Sequence, residues 1–448
     1  MDMFFIVRKA QELKVSCAEV FRTALSFEQV QTALAGSGKR HRIYDPVTTW
    51  GIWLGQTLSP DHSCRNALAS ARSAGLVPKK ASIHIGGYCQ ARERLQEESL
   101  HAIGTSLGKE LIKAEKPNNR WHGRRVIVPD GSSVSLPDTP ANQLVYPQPN
   151  TQATGCGFPV MYLETLMSLT SGALLDFEQG SGNGNELTLW RKMWQILHPG
   201  DVVLGDGKYS SYADIALLRE RSVDIVARFG KRKTDFRKGR IIALEDHIVT
   251  WERPKQLPAW VRGKSLPDKM LVREVRFRVE VPGFRPEIVT LATTLLDGET
   301  YSKEELAELF FCRWQIELRL RDIKTILNMD ILRTKTPERA RKEIWMYLAG
   351  YNLLRTLMWT AAVKTGKTVA RVSFQGCRQR FLAVAERNCS AKRFGCLYHR
   401  LLSDIAKDLN PDRPFRIEPR AIKRRKKQYD LLNQPREVLR RKLMKEVA

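Results

Sequence analysis

At 448 residues, 42% of them hydrophobic, the chain can bury a large core and is long enough for two or three domains. Its 74 Lys and Arg against 48 Asp and Glu leave a net charge of +26, which points to a polyanionic partner. A membrane is the wrong polyanion, since no apolar run approaches the roughly 20 residues of a spanning helix and "MDMFFIVRKAQELK" has no secretory h-region; eight scattered cysteines without a C-x-x-C pair argue against zinc and against a disulfide framework.

The expectation is therefore a cytoplasmic protein with reduced, mostly buried thiols. Residues 1–120 read as a helical domain of alternating apolar and basic segments: "CAEVFRTALSFEQVQTALAG", "VTTWGIWLGQTL" and "SCRNALASARSAG". Within it, "LVPKKASIHIGGYCQARERLQEESL" has a basic turn and a helix starting near Ser82, compatible with a helix-turn-helix that contacts DNA. At residue 124 the texture changes to "RRVIVPDGSSVSLPDTPANQLVYPQPN", where a β-branched run ends on Asp130. Strand candidates "MYLETLMSLTSG" and "ALLDFEQGSG" follow, then an amphipathic helix in "NELTLWRKMWQIL". The stretch "HPGDVVLGDGKYSSYADIALLRERS" repeats the pattern of buried strand, Asp206 at its end, and helix. Strand, strand, strand, helix, strand, helix is the order of an RNase H-like α/β core, here assigned to residues 121–330.

Between about 231 and 284 the core is interrupted by half-exposed antiparallel strands, a β-rich insertion. "EIVTLATTLL" then returns as a buried strand, and a long helix starts at a capping box, Ser302 with Glu305. Residues 331–448 form a helical region in which Trp345, Tyr347 and Tyr351 belong to the core, followed after Asn410 by a basic tail that contains "KRRKK" and suits phosphate.

Three carboxylates stand out by position: Asp130 and Asp206 at strand ends, and Glu317 within the long helix. Clustered acids repel one another unless divalent cations neutralise them, and hard oxygen donors suit Mg²⁺, with Mn²⁺ as a substitute. Two such ions can activate a water or a 3′-hydroxyl in phosphodiester attack. Phe310, Arg313, Glu317 and Lys324 follow one another at offsets of 3, 4 and 7, which share a helix face. Arg313 and Lys324 can thus bind the phosphates beside Glu317, Arg as a bidentate fork and Lys as a point charge. Asp138, Glu164, Asp176 and Glu178 join no such motif and are assigned turn or surface roles, and His122, His198 and His247 have no metal-ligand spacing.

Taken together, "FFCRWQIELRLRDIK", "VIVPDGSSVSLPDTPANQLVYPQ" and "VVLGDGKYSSYADIALL" resemble the signatures of bacterial insertion-sequence transposases of the DDE type. The matching branch has the pattern Tyr, two residues, Arg, three residues, Glu, six residues, Lys, and the resemblance covers roughly residues 20–430. It implies Asp130, Asp206 and Glu317 as the catalytic, metal-binding triad, with Arg313 and Lys324 as phosphate-binding partners. The signature Tyr is replaced by Phe310, which can stack on DNA but donates no hydroxyl hydrogen bond. In relatives that form a DNA hairpin, insertion aromatics hold a flipped base; Trp251 and Trp260 lie in the corresponding insertion, where packing is the expected role of each.

The resemblance further implies cut-and-paste transposition: binding of terminal inverted repeats, metal-dependent cleavage, strand transfer, and a homodimer in the synaptic complex, with the protein on the bacterial nucleoid when bound to DNA. Rival readings are an RNase H-like nuclease without strand transfer and a catalytically silent DNA-binding protein derived from a transposase. Retention of all three acids and both basic partners argues against the second.

Overall fold

The computed structural model describes residues 25–37, 43–78, 81–182, 186–229, 234–279, 287–385, 391–411 and 432–447. Cys17, Cys389 and the "KRRKK" run fall outside them.

Helices lead, as the sequence predicts: α1 (Phe27–Leu34), α2 (Pro46–Leu58), α3 (Cys64–Ser73), α4 (Gly86–Arg94) and α5 (Glu97–Lys113). Local chemistry fixes several starts. Ser26 and Gln29 form a capping box on α1, Asp45 caps α2 with Pro46 in the first turn, and Ser63 caps α3. The two-residue turn Leu95–Gln96 separates α4 from α5, and α5 packs on the 29-residue helix α11 (Pro337–Thr365). Helix α11 is apolar around most of its circumference and correspondingly buried, with Trp345, Tyr347 and Tyr351 in the core as expected. Gly108 makes the approach of α5 to the sheet possible, because a Cβ there would stand 2.5 Å from the Leu174 carbonyl oxygen.

A single nine-stranded sheet forms the centre: β1 (Val126–Ser135), β2 (Val160–Ser168), β3 (Leu174–Ser181), β4 (Val202–Gly205), β5 (Asp224–Arg228), β6 (Arg240–Ala243), β7 (Asp246–Glu252), β8 (Lys269–Val279) and β9 (Glu287–Thr293). Its order is β3-β2-β1-β4-β5-β9-β8-β7-β6. Only β1–β4 and β4–β5 pair in parallel; the other pairs are antiparallel. Strand β4, buried throughout, shows why "VVLG" is uniformly apolar: a parallel strand is covered on both faces. Between β1 and β2 lies α6 (Pro140–Val145), between β3 and β4 lies α7 (Glu186–Lys192), and α8 (Tyr212–Glu220) joins β4 to β5. After β9 come α9 (Lys303–Cys312) and α10 (Trp314–Arg321), and beyond α11 are α12 (Phe374–Ala385), α13 (Ala391–Lys407) and α14 (Arg436–Val447).

Three local expectations need correction. Strand β1 does not end on Asp130: it runs on through Gly131 to Ser135, because β2 continues to pair with it as far as Val160. The long helix is interrupted. It starts at the expected Ser302–Glu305 capping box, tightens at Arg313, and ends in a π-helical turn at Asp322–Ile326. Arg319 anchors its middle, buried and donating to the carbonyls of Ser168 and Leu169 at 2.7 Å each. Finally, of the six described cysteines only Cys377 is buried; Cys64, Cys89, Cys156 and Cys312 are half-buried and Cys396 is exposed. Among the described residues, no helix is long and apolar enough to cross a membrane.

Candidate active site

The parallel pairing of β1 with β4 sets the geometry. Ile127 is opposite Val203, so Asp130 and Asp206 each lie three residues beyond a paired position, at the same level of neighbouring strands. Adjacent strands stand about 4.8 Å apart, which puts the two residues on neighbouring segments at the carboxyl end of the parallel pair, where the Asp206 charge acts on Asp130. Asp206 immediately follows β4 and caps the short turn Gly207–Tyr209 by accepting from the Lys208 N–H at 2.8 Å. Asp130 sits mid-strand, its backbone carbonyl accepting from the Thr165 hydroxyl at 2.9 Å.

Helix α10 packs on β1 and brings the third acid. Burial pushes the Asp130 carboxyl up to about 6; Arg313 opposes that shift, whereas the charges of Glu317 and Asp206 add to it. Four of the residues singled out in the sequence thus act on one another. Arg313 donates to Glu317 at 3.1 Å, the ordinary i,i+4 pair of a helix. Lys324, displaced by the π-helical turn, lines a neighbouring groove of about 580 Å³ together with Gly131, Ser132 and Lys208. Phe310 is half-buried, edge-on to Phe277 of β8 with ring centroids 6.5 Å apart, and its ring lies 5.9 Å from the Arg313 guanidinium.

Glu164 was assigned a turn or surface role on sequence, and the structure overturns it. It lies fully buried in β2, opposite Gly131. The Tyr209 hydroxyl donates to its Oε1 at 2.8 Å, while its Oε2 has no hydrogen-bond partner among the described residues. Burial pushes this carboxyl up to about 9, with Glu186, Asp130 and Asp206 pushing in the same direction. The Glu164–Tyr209 bond ties β2 to the turn that carries Asp206. A glutamate inside the apolar run "VMYLETLMS" was the available signal, because a central strand gives its side chain no route to water.

The other residues set aside on sequence keep modest partners: Asp138 accepts from Gln143 at 2.8 Å, Asp176 meets His101 at 3.3 Å and Glu178 meets Lys192 at 3.5 Å. His122 and His247 each face a carboxylate, Glu305 and Glu274, and His198 lies against Arg125. Trp251 is buried with its indole N–H donating to Glu274 at 2.7 Å, and Trp260 lies under the Arg191 guanidinium at 3.7 Å; both are packed. Among the described residues, no group of three or more His, Cys, Asp or Glu stands ready to hold a metal ion. The donor chemistry nonetheless fits one: hard carboxylate oxygens, with the Glu317 and Asp206 charges adding to the burial that raises the Asp130 carboxyl.

Comparison with known proteins places these residues in a lineage. The chain is similar to the transposase InsG of insertion sequence element IS4 from Escherichia coli K12, with 27% identity over 278 residues, 60% of each chain. It therefore spans about 60% of the length of that relative. It is also similar to the transposase of insertion sequence element IS231F from Bacillus thuringiensis subsp. israelensis, 20% identical over 70% of this chain and 72% of that one. A structure of a piggyBac transposase synaptic complex with hairpin DNA overlays with TM-score 0.44 at 10% identity, covering 89% of this chain and 86% of that chain. Residues 121–353, more than half of the chain, match the transposase DDE domain, and both aspartates and Glu317 fall inside that match: the chain belongs to the DDE transposase family.

Proposed function

We propose that this protein is the DNA transposase of an insertion sequence, binding the element's terminal inverted repeats and catalysing strand cleavage and strand transfer by a cut-and-paste route. The observation that carries the reading is the in-register placement of Asp130 and Asp206 on a parallel pair, with the Glu317 charge reaching Asp130. The fold supports it. The order β3-β2-β1-β4-β5, parallel only from β1 through β5, is that expected of an RNase H-like core, with β6 to β8 as its insertion. The proposed division is a helical DNA-binding domain at 1–120, the catalytic core at 121–330 and a helical, basic region at 331–448.

In this reading Asp130, Asp206 and Glu317 would hold two Mg²⁺ ions. Such ions supply Lewis-acid activation of a water or 3′-hydroxyl and neutralise charge on the leaving oxygen. Arg313 orients Glu317 through their ion pair and offers its remaining donors to phosphate. Lys324 supplies a point charge from the groove beside Gly131. Glu164 and Tyr209 hold the Asp206 turn against β2 and touch no substrate. The +26 charge binds the DNA backbone, two copies pair the two ends, and the protein works in the bacterial cytoplasm on nucleoid DNA.

The test uses purified protein, Mg²⁺ and a plasmid carrying the DNA that flanks the gene. Excision at inverted repeats with joining of the freed ends to a second plasmid is the expected result. Cleavage without joined product would identify a nuclease, and binding without cleavage a silent DNA-binding protein.

A further inference from the structure

We propose that Lys208 is a further phosphate-binding residue for the DNA strand at this site, and that Glu186 occupies it until DNA arrives. The inference rests on the reading of the protein as a DNA-cutting enzyme. Lys208 and Lys324 line the same groove of about 580 Å³ but come from different elements, the turn after β4 and the π-helical turn after α10. The Lys208 backbone is pinned beside the site, since its N–H donates to Asp206 Oδ1 at 2.8 Å. Its ammonium does not project into the groove unpaired; it is bonded to Glu186 Oε2.

Glu186 is seated where a side chain of β1 would otherwise be. A Cβ on Gly131 would stand 2.0 Å from Glu186 Oε1, so this carboxylate lies over the backbone next to Asp130 only because residue 131 has no side chain. There it claims the cation that a phosphate would use. The pair is also exchangeable. The Lys208 and Glu186 side chains are 58% and 32% exposed, and exposed ion pairs are weak and screened by salt. A DNA phosphate entering the groove meets a flexible lysine that needs only to change partner.

The experiment is a fluorescence-anisotropy titration of a labelled duplex with full-length protein, without divalent ions, at salt from 50 to 200 mM. Glu186→Gln should bind several-fold more tightly than wild type. Lys208→Gln should bind more weakly, with the slope of log K against log salt flattened by about 0.9, the value for one phosphate contact on duplex DNA. Lys208→Arg keeps the charge and should retain the wild-type slope. Glu186→Gln should lose its effect in the Lys208→Gln background. A Lys208→Gln slope equal to wild type, or an equal gain from Glu186→Gln in both backgrounds, overturns the proposal while leaving the enzyme reading intact. Wild type that shows no salt-dependent binding overturns both.

Discussion

Asp130 should destabilise the protein that it serves. Its carboxyl rises from 3.8 to about 6, so the free-energy cost of ionising it inside the fold builds up between those two values. A shift of about 2 units at 1.36 kcal/mol per unit is a cost on the order of 2–3 kcal/mol. The sign follows from linkage: between about pH 4 and 6 the folded state binds more protons than the unfolded one, so stability falls as pH rises and the cost is complete above 6. Asn at this position never ionises and keeps an oxygen for the Gly131 N–H that Asp130 accepts at 3.1 Å. Asp130→Asn should therefore melt a few degrees above wild type at pH 8 and together with it near pH 4.

Intrinsic tryptophan fluorescence during heating reads this difference directly. Asp322, also raised, titrates in both proteins and cancels in the comparison, whereas Glu164 loses the Asp130 charge in the variant and is followed separately in a Glu164→Gln background. Mg²⁺ at pH 8 should raise the wild-type melting temperature toward that of the variant and leave the variant unmoved. Equal melting of the two proteins at pH 8, or an advantage for the variant that persists unchanged at pH 4, would refute the argument that burial, with the Glu317 and Asp206 charges adding to it, makes the Asp130 carboxylate costly in the fold.

Three further outcomes are expected. Tyr209→Phe removes the hydroxyl that donates to Glu164, costs about 1–3 kcal/mol, and should raise the Mg²⁺ concentration needed for half-maximal cleavage; Glu164→Gln, neutral like the protonated acid and still an acceptor, should keep the wild-type requirement. In single-turnover cleavage of a pre-nicked end, Arg313→Ala and Lys324→Ala should slow the reaction strongly, and wild-type rates would reduce the segment to an ordinary charged helix. Phe310→Tyr should stay within a few-fold of wild type in that assay, while Phe310→Ala should lose more through its contact with Phe277.

Much of this site was legible in the sequence because its signals are local. A uniformly apolar four-residue strand followed at once by Asp206, a β-branched run leading to Asp130, and a capping box opening the helical segment that leads to Glu317 are each contained in a short window. What was missed depends on pairing. Whether β1 stops at Asp130 is decided by β2, some 30 residues away, whose register with Gly131 to Ser135 extends the strand. That same register buries Glu164, and only the later turn brings Tyr209 to it. Nor does a helical repeat reveal that the segment tightens at Arg313 and widens at Lys324, so the single face drawn through Phe310, Arg313, Glu317 and Lys324 is divided between Phe277, Asp130 and the groove.

The central claim is that Asp130, Asp206 and Glu317 act as one metal-dependent cutting centre. It is tested most directly by measuring cleavage of a terminal-repeat duplex in Mg²⁺ alongside gel-shift binding of the same duplex, for Asp130→Ala, Asp206→Ala and Glu317→Gln. Each variant should bind the end nearly as wild type does and yield no cleaved product. Near wild-type cleavage by any one of them would contradict it.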